Sequence, residues 1–103
     1  MTSLPTVDTS VILHALAEDN RATIVKLLVD RQLAVKDVVG LTGLSQPLVS
    51  HHLKVLREAG IVESTSCSTK TFYRLRADTL AELATRLSAM AERAAVTSSS
   101  DCC

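Results

Sequence analysis

The sequence predicts a single, mainly α-helical domain that carries one β-hairpin. Its length of 103 residues fits one domain. Apolar residues make up 47% of the chain but aromatic residues only 2%, so the core would be built from aliphatic side chains, which suits helices. Apolar residues recur at steps of three and four along most of the chain, and this spacing changes to alternation after Gly60.

Residues 44–60 carry the clearest helix signals in the chain. Ser45 is suited to cap the first turn because its hydroxyl can accept a backbone N–H. Pro47 follows within that turn, where its missing N–H is not needed. Gly60 supplies a stop, since glycine readily adopts a left-handed conformation. Three apolar residues at positions i, i+4 and i+7 form one stripe, namely Val49, Leu53 and Leu56.

The other side of this predicted helix is polar. It has small hydrogen-bonding side chains near the N-terminus and cations further along. That layout suits a helix entering the major groove of DNA, where compact polar groups face base edges and cations face phosphates. An ordinary surface helix also has a polar side, and on this helix alone the two interpretations carry similar weight. The polar side consists of Pro47, Ser50, His51, Lys54 and Glu58.

The formal charge of the chain is zero, but the charges are unevenly placed. Residues 45–76 contain five Lys or Arg against two Asp or Glu, a net charge of +3. Residues 1–44 have four against five, net −1, and residues 77–103 have two against four, net −2. A positive field confined to one part of the surface can steer DNA to that part while the whole chain stays neutral.

Three further helices are predicted before this one. Apolar periodicity and capping residues indicate helices over 9–18, 21–31 and 35–42. Asp8 or Thr9 can cap the first and Asn20 the second, and Gly43 provides a tight turn after the third. Two helices joined by a short glycine-containing turn, the second capped and polar on one side, form the helix-turn-helix pattern. Residues 1–7 are expected to be a flexible leader.

A β-hairpin is predicted after Gly60. Residues 61–66 and 71–76 are rich in β-branched and aromatic side chains, and the second run alternates. The connection over 67–70 has no Gly or Asn, so a longer and more mobile loop than a tight turn is expected. This hairpin would stand beside the helix-turn-helix as a wing.

The last predicted helix, over 77–95, has an apolar stripe that is long for so small a domain. A helix that extends past its own core usually continues onto a partner, so a dimer surface is predicted. The alternative is that the stripe only closes the core of the protomer. Residues 97–103 show no pattern and are expected to be a disordered tail that ends in cysteines, which leaves 8–96 as the domain.

This order of elements is that of a winged helix-turn-helix with extra helices at both ends. Over about residues 9–95, the chain resembles the ArsR/SmtB family of bacterial winged-helix regulators. The residues that carry the resemblance are 44–62, the 72–75 strand and the helix start at 19–24. The resemblance implies the order α1-α2-α3-α4-β1-β2-α5 and a homodimer that pairs through the first and last helices. The interface residues expected are Ile12, Leu16, Leu80, Leu83, Leu87 and Met90.

The resemblance also implies binding to palindromic double-stranded operator DNA, with the recognition helices, 45–58, in successive major grooves. Gln46 is the natural bidentate reader of adenine, and Ser50 can serve either base type. The wing, 61–76, would contact the flanking backbone or minor groove. The DNA-binding residues expected are Ser45, Gln46, Pro47, Ser50, His51, Lys54, Arg57, Thr69 and Lys70.

The two adjacent histidines of the recognition helix receive different interpretations. His51 belongs to the polar side, and the alternative for it is a solvated or helix-packing histidine. His52 lies nearer the apolar stripe and is expected to be structural, since a histidine on an apolar side usually belongs to the core.

Many members of this family sense metals, but the usual ligand positions are not filled here. The positions that match the Cys-x-Cys pair of the third helix are Ala34 and Lys36. Those that match the Asp, His, His and Glu of the last helices are Ala77, Thr79, Met90 and Arg93. Neither set supplies the converging N, O or S ligands that a zinc or nickel site needs.

The remaining candidates for an effector site are thiols. Cys67, Cys102 and Cys103 could bind a transition metal or As(III), or act as an oxidation switch. The alternative is that Cys67 is an inert loop residue and the two tail thiols are idle. The sequence does not resolve a sensing site.

These observations predict a sequence-specific DNA-binding transcriptional regulator, preferentially a repressor, in the cytoplasm. Two alternatives remain, a thiol-based soft-metal or redox sensor of the same fold and a helical adaptor subunit that does not bind DNA. An accessory regulator protein is a further candidate partner. Three cysteines make no disulfide framework, the N-terminus lacks signal-peptide features, and no apolar run could span a membrane. An enzyme is not expected, because the sequence has no glycine-rich phosphate loop and no acid–base cluster.

Overall fold

Five α-helices and a three-stranded antiparallel sheet make up residues 8–99, the part of the chain that the computed structural model describes. The elements are, in order, α1 (Thr9–Ala17), α2 (Asp19–Leu27), β1 (Leu33–Ala34), α3 (Val35–Thr42), α4 (Gln46–Glu58), β2 (Val62–Cys67), β3 (Lys70–Leu75) and α5 (Ala77–Ser99). The predicted winged helix-turn-helix is confirmed, with one additional short strand. The predicted leader, 1–7, and the last residues of the predicted tail, 100–103, lie outside the described residues.

The first two helices begin at side-chain caps. Asp8 caps α1 as predicted, because its carboxylate accepts a hydrogen bond from the backbone N–H two residues later at 3.1 Å. The predicted cap of α2, Asn20, is wrong: Glu18 is the cap, and its carboxylate accepts the backbone N–H of Arg21 at 2.8 Å. The helix also ends at Leu27, four residues earlier than predicted, because the chain then leaves it to enter β1.

The helix-turn-helix forms where the sequence signals place it. α3 is followed by Gly43, whose backbone is left-handed with φ of 75°. α4 begins after Ser45, whose hydroxyl oxygen accepts a hydrogen bond from Leu48 N–H at 3.3 Å, and Pro47 lies in its first turn. Gly60, with φ of 80°, follows the last turn. Both ends of α4 are therefore set by local residues.

The sheet has the strand order β1-β3-β2, and both pairings are antiparallel. Within the hairpin, Cys67 of β2 pairs with Lys70 of β3, so only Ser68 and Thr69 form the turn. The prediction of a longer loop over 67–70 is therefore wrong. Ser68 adopts the left-handed conformation, with φ of 61°, that so short a turn requires in the absence of glycine.

The core is aliphatic and lies against one side of α4. The predicted stripe is confirmed, because Val49, Leu53 and Leu56 have no exposed surface. Burying each such side chain contributes about 1.5–3 kcal/mol relative to leaving it exposed. The other residues of the core are Ile12, Ala15, Ile24, Leu28, Leu33, Val38, Ala59, Ile61, Val62 and Leu83. This complete burial fixes which side of α4 faces outward.

The start of α5 is tied to the end of α4. The Thr79 hydroxyl donates a hydrogen bond to the carbonyl oxygen of Gly60 at 2.7 Å. The Arg76 backbone N–H, just before α5, donates to the carbonyl oxygen of Ile61 at 2.8 Å. These two bonds join the segment after α4 directly to the segment that opens α5.

The predicted dimer surface is only partly exposed. Leu87 is 43% and Met90 62% exposed on α5, and Leu16 and Leu80 are half-buried. The prediction that Ile12 and Leu83 lie on the dimer surface is wrong, because both side chains are buried in the core of the protomer. The structure therefore combines the predicted surface with its alternative: α1 and the first half of α5 close the protomer core, and the second half of α5 presents apolar side chains outward.

The last helix also runs further than predicted. It continues to Ser99, so residues 97–99 are helical where the tail was expected to begin. Its 23 residues make it the longest element of the described chain. Among residues 8–99, no helix combines the length and apolar character needed to cross a membrane.

The substitution of glycine by alanine is expected to have opposite effects on stability at two positions of the helix-turn-helix. An added Cβ meets no atom within 4 Å at Gly40, inside α3, or at Gly43. Gly40→Ala is therefore expected to stabilise the protein by about 0.5–1 kcal/mol through helix propensity. Gly43→Ala is expected to destabilise it by about 1–2 kcal/mol, because its left-handed backbone disfavours a Cβ. Urea denaturation of both variants checks the signs, and equal effects would contradict this account.

Candidate nucleic-acid interface

The polar side of α4 is fully presented to solvent. Ser45, Gln46 and Pro47 form its leading turn, and Ser50 and His51 follow on the next turn, all of them exposed. Lys54 and Arg57, further along the helix, and Thr69 and Lys70, at the hairpin turn, are exposed as well. The structure thus leaves every predicted DNA-binding residue accessible, on one helix and one hairpin turn. We refer to the exposed residues of α4 as the reading face.

Ion pairs divide the five cations of residues 45–76 into two groups. Arg74 pairs with Glu63 at 2.6 Å, and Arg76 pairs with Asp78 at 2.7 Å. The hydrogen bond from the Arg76 guanidinium lowers the pKa of the Asp78 carboxyl and keeps that pair charged. Within residues 8–99, the other three cations, Lys54, Arg57 and Lys70, take part in no ion pair. The cations of residues 45–76 that have no ion pair therefore lie on α4 and at the hairpin turn.

His52 points in the opposite direction from His51 and is only 5% exposed, which confirms that it is structural. The Arg21 guanidinium of α2 lies 3.4 Å from its Nδ1 atom and also donates a hydrogen bond to the Ala15 carbonyl of α1 at 2.7 Å. A guanidinium can only donate, so Nδ1 is the acceptor and the ring proton is assigned to Nε2. That Nε2 atom is buried without a hydrogen bond to any described residue, and the nearest Glu18 carboxylate oxygen is 3.9 Å away.

The surroundings of His52 disfavour its charged form. Burial lowers the pKa of the His52 imidazole below its usual value of 6.5, and the Arg21 charge lowers it further. The Glu18 carboxylate raises it, but not enough to compensate for burial. His52 is therefore neutral in the folded protein near pH 7.

Comparison with known proteins gives this architecture a family. The family described as "Bacterial regulatory protein, arsR family" matches residues 18–64, which run from the cap of α2 into β2. An HTH-type transcriptional regulator of Mycobacterium tuberculosis, Rv2034, is 39% identical over 74 residues, which are 72% of this chain and 69% of that protein. This chain belongs to the ArsR family of bacterial regulators.

Two other ArsR-family relatives extend the comparison. The HTH-type transcriptional repressor SmtB of M. tuberculosis is 39% identical over 72 residues, 70% of this chain. The match spans about half of that repressor, 53% of its length. The homodimeric winged helix-turn-helix DNA-binding domain of a possible ArsR-family regulator from Mycobacterium bovis superposes with a TM-score of 0.67 at 27% identity, over 82% of this chain and 79% of that one.

The residues at the family's usual metal positions do not fit a metal ion. Ala34 and Lys36 lie at the start of α3, and the four positions on α5 provide neither imidazole nor carboxylate. One of these four, Thr79, already uses its hydroxyl to bind the end of α4. Residues 8–99 contain no group of three or more His, Cys, Asp or Glu side chains that could hold a metal ion.

Of the three candidate thiols, the structure describes Cys67. Cys67 is exposed at the end of β2, next to the hairpin turn. Cys102 and Cys103 lie outside the described residues.

Sequence reasoning missed two kinds of residue near the interface. From the sequence, no role was assigned to the side chains of Arg21 and Glu18, yet both lie beside His52 and reach α4 from the start of α2. Nor was a role assigned to Leu48, which is 37% exposed in the leading turn. The position of Leu48 outside the i, i+4, i+7 stripe is a signal that could have revealed its exposure. No local signal reveals the Arg21 contact, which joins residues 31 positions apart.

The buried imidazole predicts a loss of stability in acid. His52 has a lowered pKa when folded and an ordinary one when unfolded, so below pH 6.5 the unfolded state binds more protons. Stability contributed by neutral His52 is therefore present above pH 6.5 and is lost as the pH falls toward the folded pKa. Urea denaturation between pH 7.5 and 5.5 should show a smaller pH dependence for His52→Asn than for wild type. His51→Asn, at the exposed neighbour, is the control and should retain the wild-type slope.

Proposed function

We propose that this chain is a DNA-binding transcriptional repressor that binds a palindromic operator as a homodimer in the cytoplasm. One observation carries the proposal: α4 buries one side completely and presents its other side with unpaired cations and hydrogen-bonding groups. A side of this kind is costly to desolvate against protein but suits a polyanion that also offers hydrogen-bonding base edges. The ArsR-family relatives that are named repressors support the direction of regulation.

The leading turn of α4 supplies the base-reading groups. Gln46 can accept and donate at once, which fits adenine in the major groove, and Ser50 lies one turn later on the same side. The N-terminus of α4 adds a partial positive charge where DNA phosphates would approach. Leu48 adds an exposed apolar group in this turn, which can contact the methyl group of thymine.

The cations are arranged behind and beside the reading groups. Lys54 and Arg57 follow on later turns of α4, where the groove wall would place phosphates. Lys70 starts β3 directly after the two-residue turn, so its charge lies at the tip of the wing. The short turn makes the wing a defined arm and supports a contact with the flanking backbone.

Dimerisation is proposed through the apolar side chains that α1 and α5 leave uncovered. Leu87 and Met90 on α5 and Val11 and Leu13 on α1 are large, apolar and exposed. Arg86 of α5 donates a hydrogen bond to the Thr9 hydroxyl of α1, which brings the two helices side by side. The homodimeric state of the M. bovis relative supports a two-fold assembly of this kind.

The reading face predicts residue-specific losses of operator affinity. The operator is first obtained by selecting bound duplexes from a random double-stranded pool. Gln46→Ala and Ser50→Ala are each expected to weaken binding to that operator by about tenfold or more, since one good base contact is worth about 1–3 kcal/mol per half-site. Fluorescence anisotropy at fixed salt measures the change, and light scattering checks that each variant remains dimeric. Unchanged affinity in both variants would contradict the assignment of this face.

The charge distribution predicts the salt dependence of binding. Lys54, Arg57 and Lys70 on α4 and the wing give six DNA-facing cations in a dimer, so log Kobs against log[salt] should have a slope of about −5. Removing one cation, by Lys54→Ala or Lys70→Ala, should reduce the magnitude of the slope by about 2, because the dimer loses two phosphate contacts. Lys26→Ala removes the same charge from α2 and should leave the slope unchanged. A slope that responds equally to all three variants would indicate a general charge effect instead of these contacts.

A further inference from the structure

Among the residues that the structure describes, His52 is the only buried polar side chain. It lies directly after His51 on α4, on the opposite side from the reading face. A buried polar group costs free energy unless it is hydrogen-bonded, so its partners decide whether this position is tolerated. Only one of its two ring nitrogens has a partner in the described residues, and that partner is Arg21.

Arg21 connects three helices through a single side chain. Its backbone N–H is held by the Glu18 carboxylate at the start of α2, and its Nε atom donates to the Ala15 carbonyl of α1 at 2.7 Å. Its Nη1 atom then reaches Nδ1 of His52 on α4 at 3.4 Å. The guanidinium therefore links the end of α1 and the start of α2 to the middle of α4. Among the described residues, this is the side-chain hydrogen bond that joins α4 to the first two helices.

We infer that Arg21 and His52 are positioning residues for operator binding, and that they hold α4 in the rotation that points its reading face at the DNA. The inference rests on the proposed function. Ser50 and His51 immediately precede His52, so a turn of α4 about its axis that broke the Arg21 contact would move both from the groove. Burial of the apolar stripe fixes which side of α4 faces the core, and the directional hydrogen bond to one ring nitrogen sets the rotation of the helix more finely within that constraint.

The contact requires a neutral imidazole. A proton added at Nδ1 removes the acceptor and places a second cation against the Arg21 guanidinium. The charged groups that act on this ring are Arg21 on α2, Glu18 just before α2 and His51 on α4 itself, and the uncharged Ala15 carbonyl of α1 lies against Arg21. Glu18 offsets a charge on the ring only in part, because burial and the Arg21 charge outweigh the attraction of its oxygen at 3.9 Å from Nε2. Acid is therefore expected to break the hydrogen bond between α4 and α2.

His51 lies on the exposed reading face, so replacing it separates the effect of charge on that face from an effect at His52. A positive charge gained on the reading face strengthens binding to a polyanion. Such a charge therefore does not explain a loss of affinity on acidification.

The test measures operator affinity from pH 7.5 to pH 5.5 at fixed salt, and each variant is compared with its own value at pH 7.5. His51→Asn removes the neighbouring imidazole from the reading face, and the affinity of this variant should fall about threefold or more as His52 becomes protonated. His52→Asn keeps an amide oxygen near the position of Nδ1 but cannot titrate, so its affinity should not fall. The Arg21→Gln variant, which lacks the guanidinium, should bind the operator more weakly at pH 7.5.

Two controls test whether a change in operator affinity arises from protonation of His52. Circular dichroism and light scattering define the pH range in which each protein keeps its helicity and dimeric state, and affinities are compared within that range. Imidazole nitrogen shifts in NMR spectra should show His52 as the Nε2–H tautomer, with a lower pKa in the operator complex than in the free protein. Absence of operator binding at pH 7.5 in the wild type would refute the proposed function. Operator binding that does not fall in His51→Asn, or a His52 pKa that is equal in both states, would overturn this inference alone.

Discussion

The structure depends on one constraint: α4 must fill the middle of the core with one side and leave its other side open to solvent. Val49, Leu53 and Leu56 satisfy the first demand, because they have no exposed surface. A 13-residue helix with a fully buried stripe cannot rotate far without opening a cavity, which costs several kcal/mol in aliphatic cores. Every polar group on its other side is thereby held outward. The remaining elements either cover the stripe or leave the polar side open.

The chain has a formal net charge of zero, yet it can still attract DNA to one part of its surface. Ion pairs neutralise some cations of residues 45–76, and the others keep their charge unpaired. Arg74 and Arg76 add to the sequence charge of residues 45–76, yet Glu63 and Asp78 neutralise them in the structure. The charge that remains lies on α4 and at the wing tip. Binding built on a few such contacts is selective against nonspecific polyanions, since a weak background attraction leaves more of the affinity to base contacts.

The sequence was informative wherever structure is set by neighbouring residues. Ser45, Pro47 and Gly60 fixed α4 because caps and stops act within one turn. The early end of α2 and the strand β1 could not be predicted, since two residues become a strand only when β3 lies beside them. The turn at Ser68 was missed for a related reason: the pairing of the strands imposes a left-handed backbone on a residue that does not favour it. Ile12 was placed on the wrong surface because periodicity reveals an apolar side but not what covers it.

The candidate nucleic-acid interface shows the same difference between features set by neighbouring residues and features set by distant ones. Exposure of the reading face follows from helical periodicity and was predicted, whereas the Arg21 contact with His52 joins distant parts of the chain and was not. Ion pairing within the hairpin also depends on strand register, which places Glu63 opposite Arg74.

The bond between the Thr79 hydroxyl and the Gly60 carbonyl has a geometric consequence for the proposed dimer. The bond fixes the start of α5 to the segment that follows α4. Because α5 is long, a small change in the angle at which two copies of α5 cross would produce a larger change in the distance between the two α4 helices. Duplex DNA repeats about every 34 Å, and a mismatch with that period weakens both half-sites together. Any signal that bends or shifts α5 could thus govern DNA occupancy from a distance, without touching a single base-reading side chain.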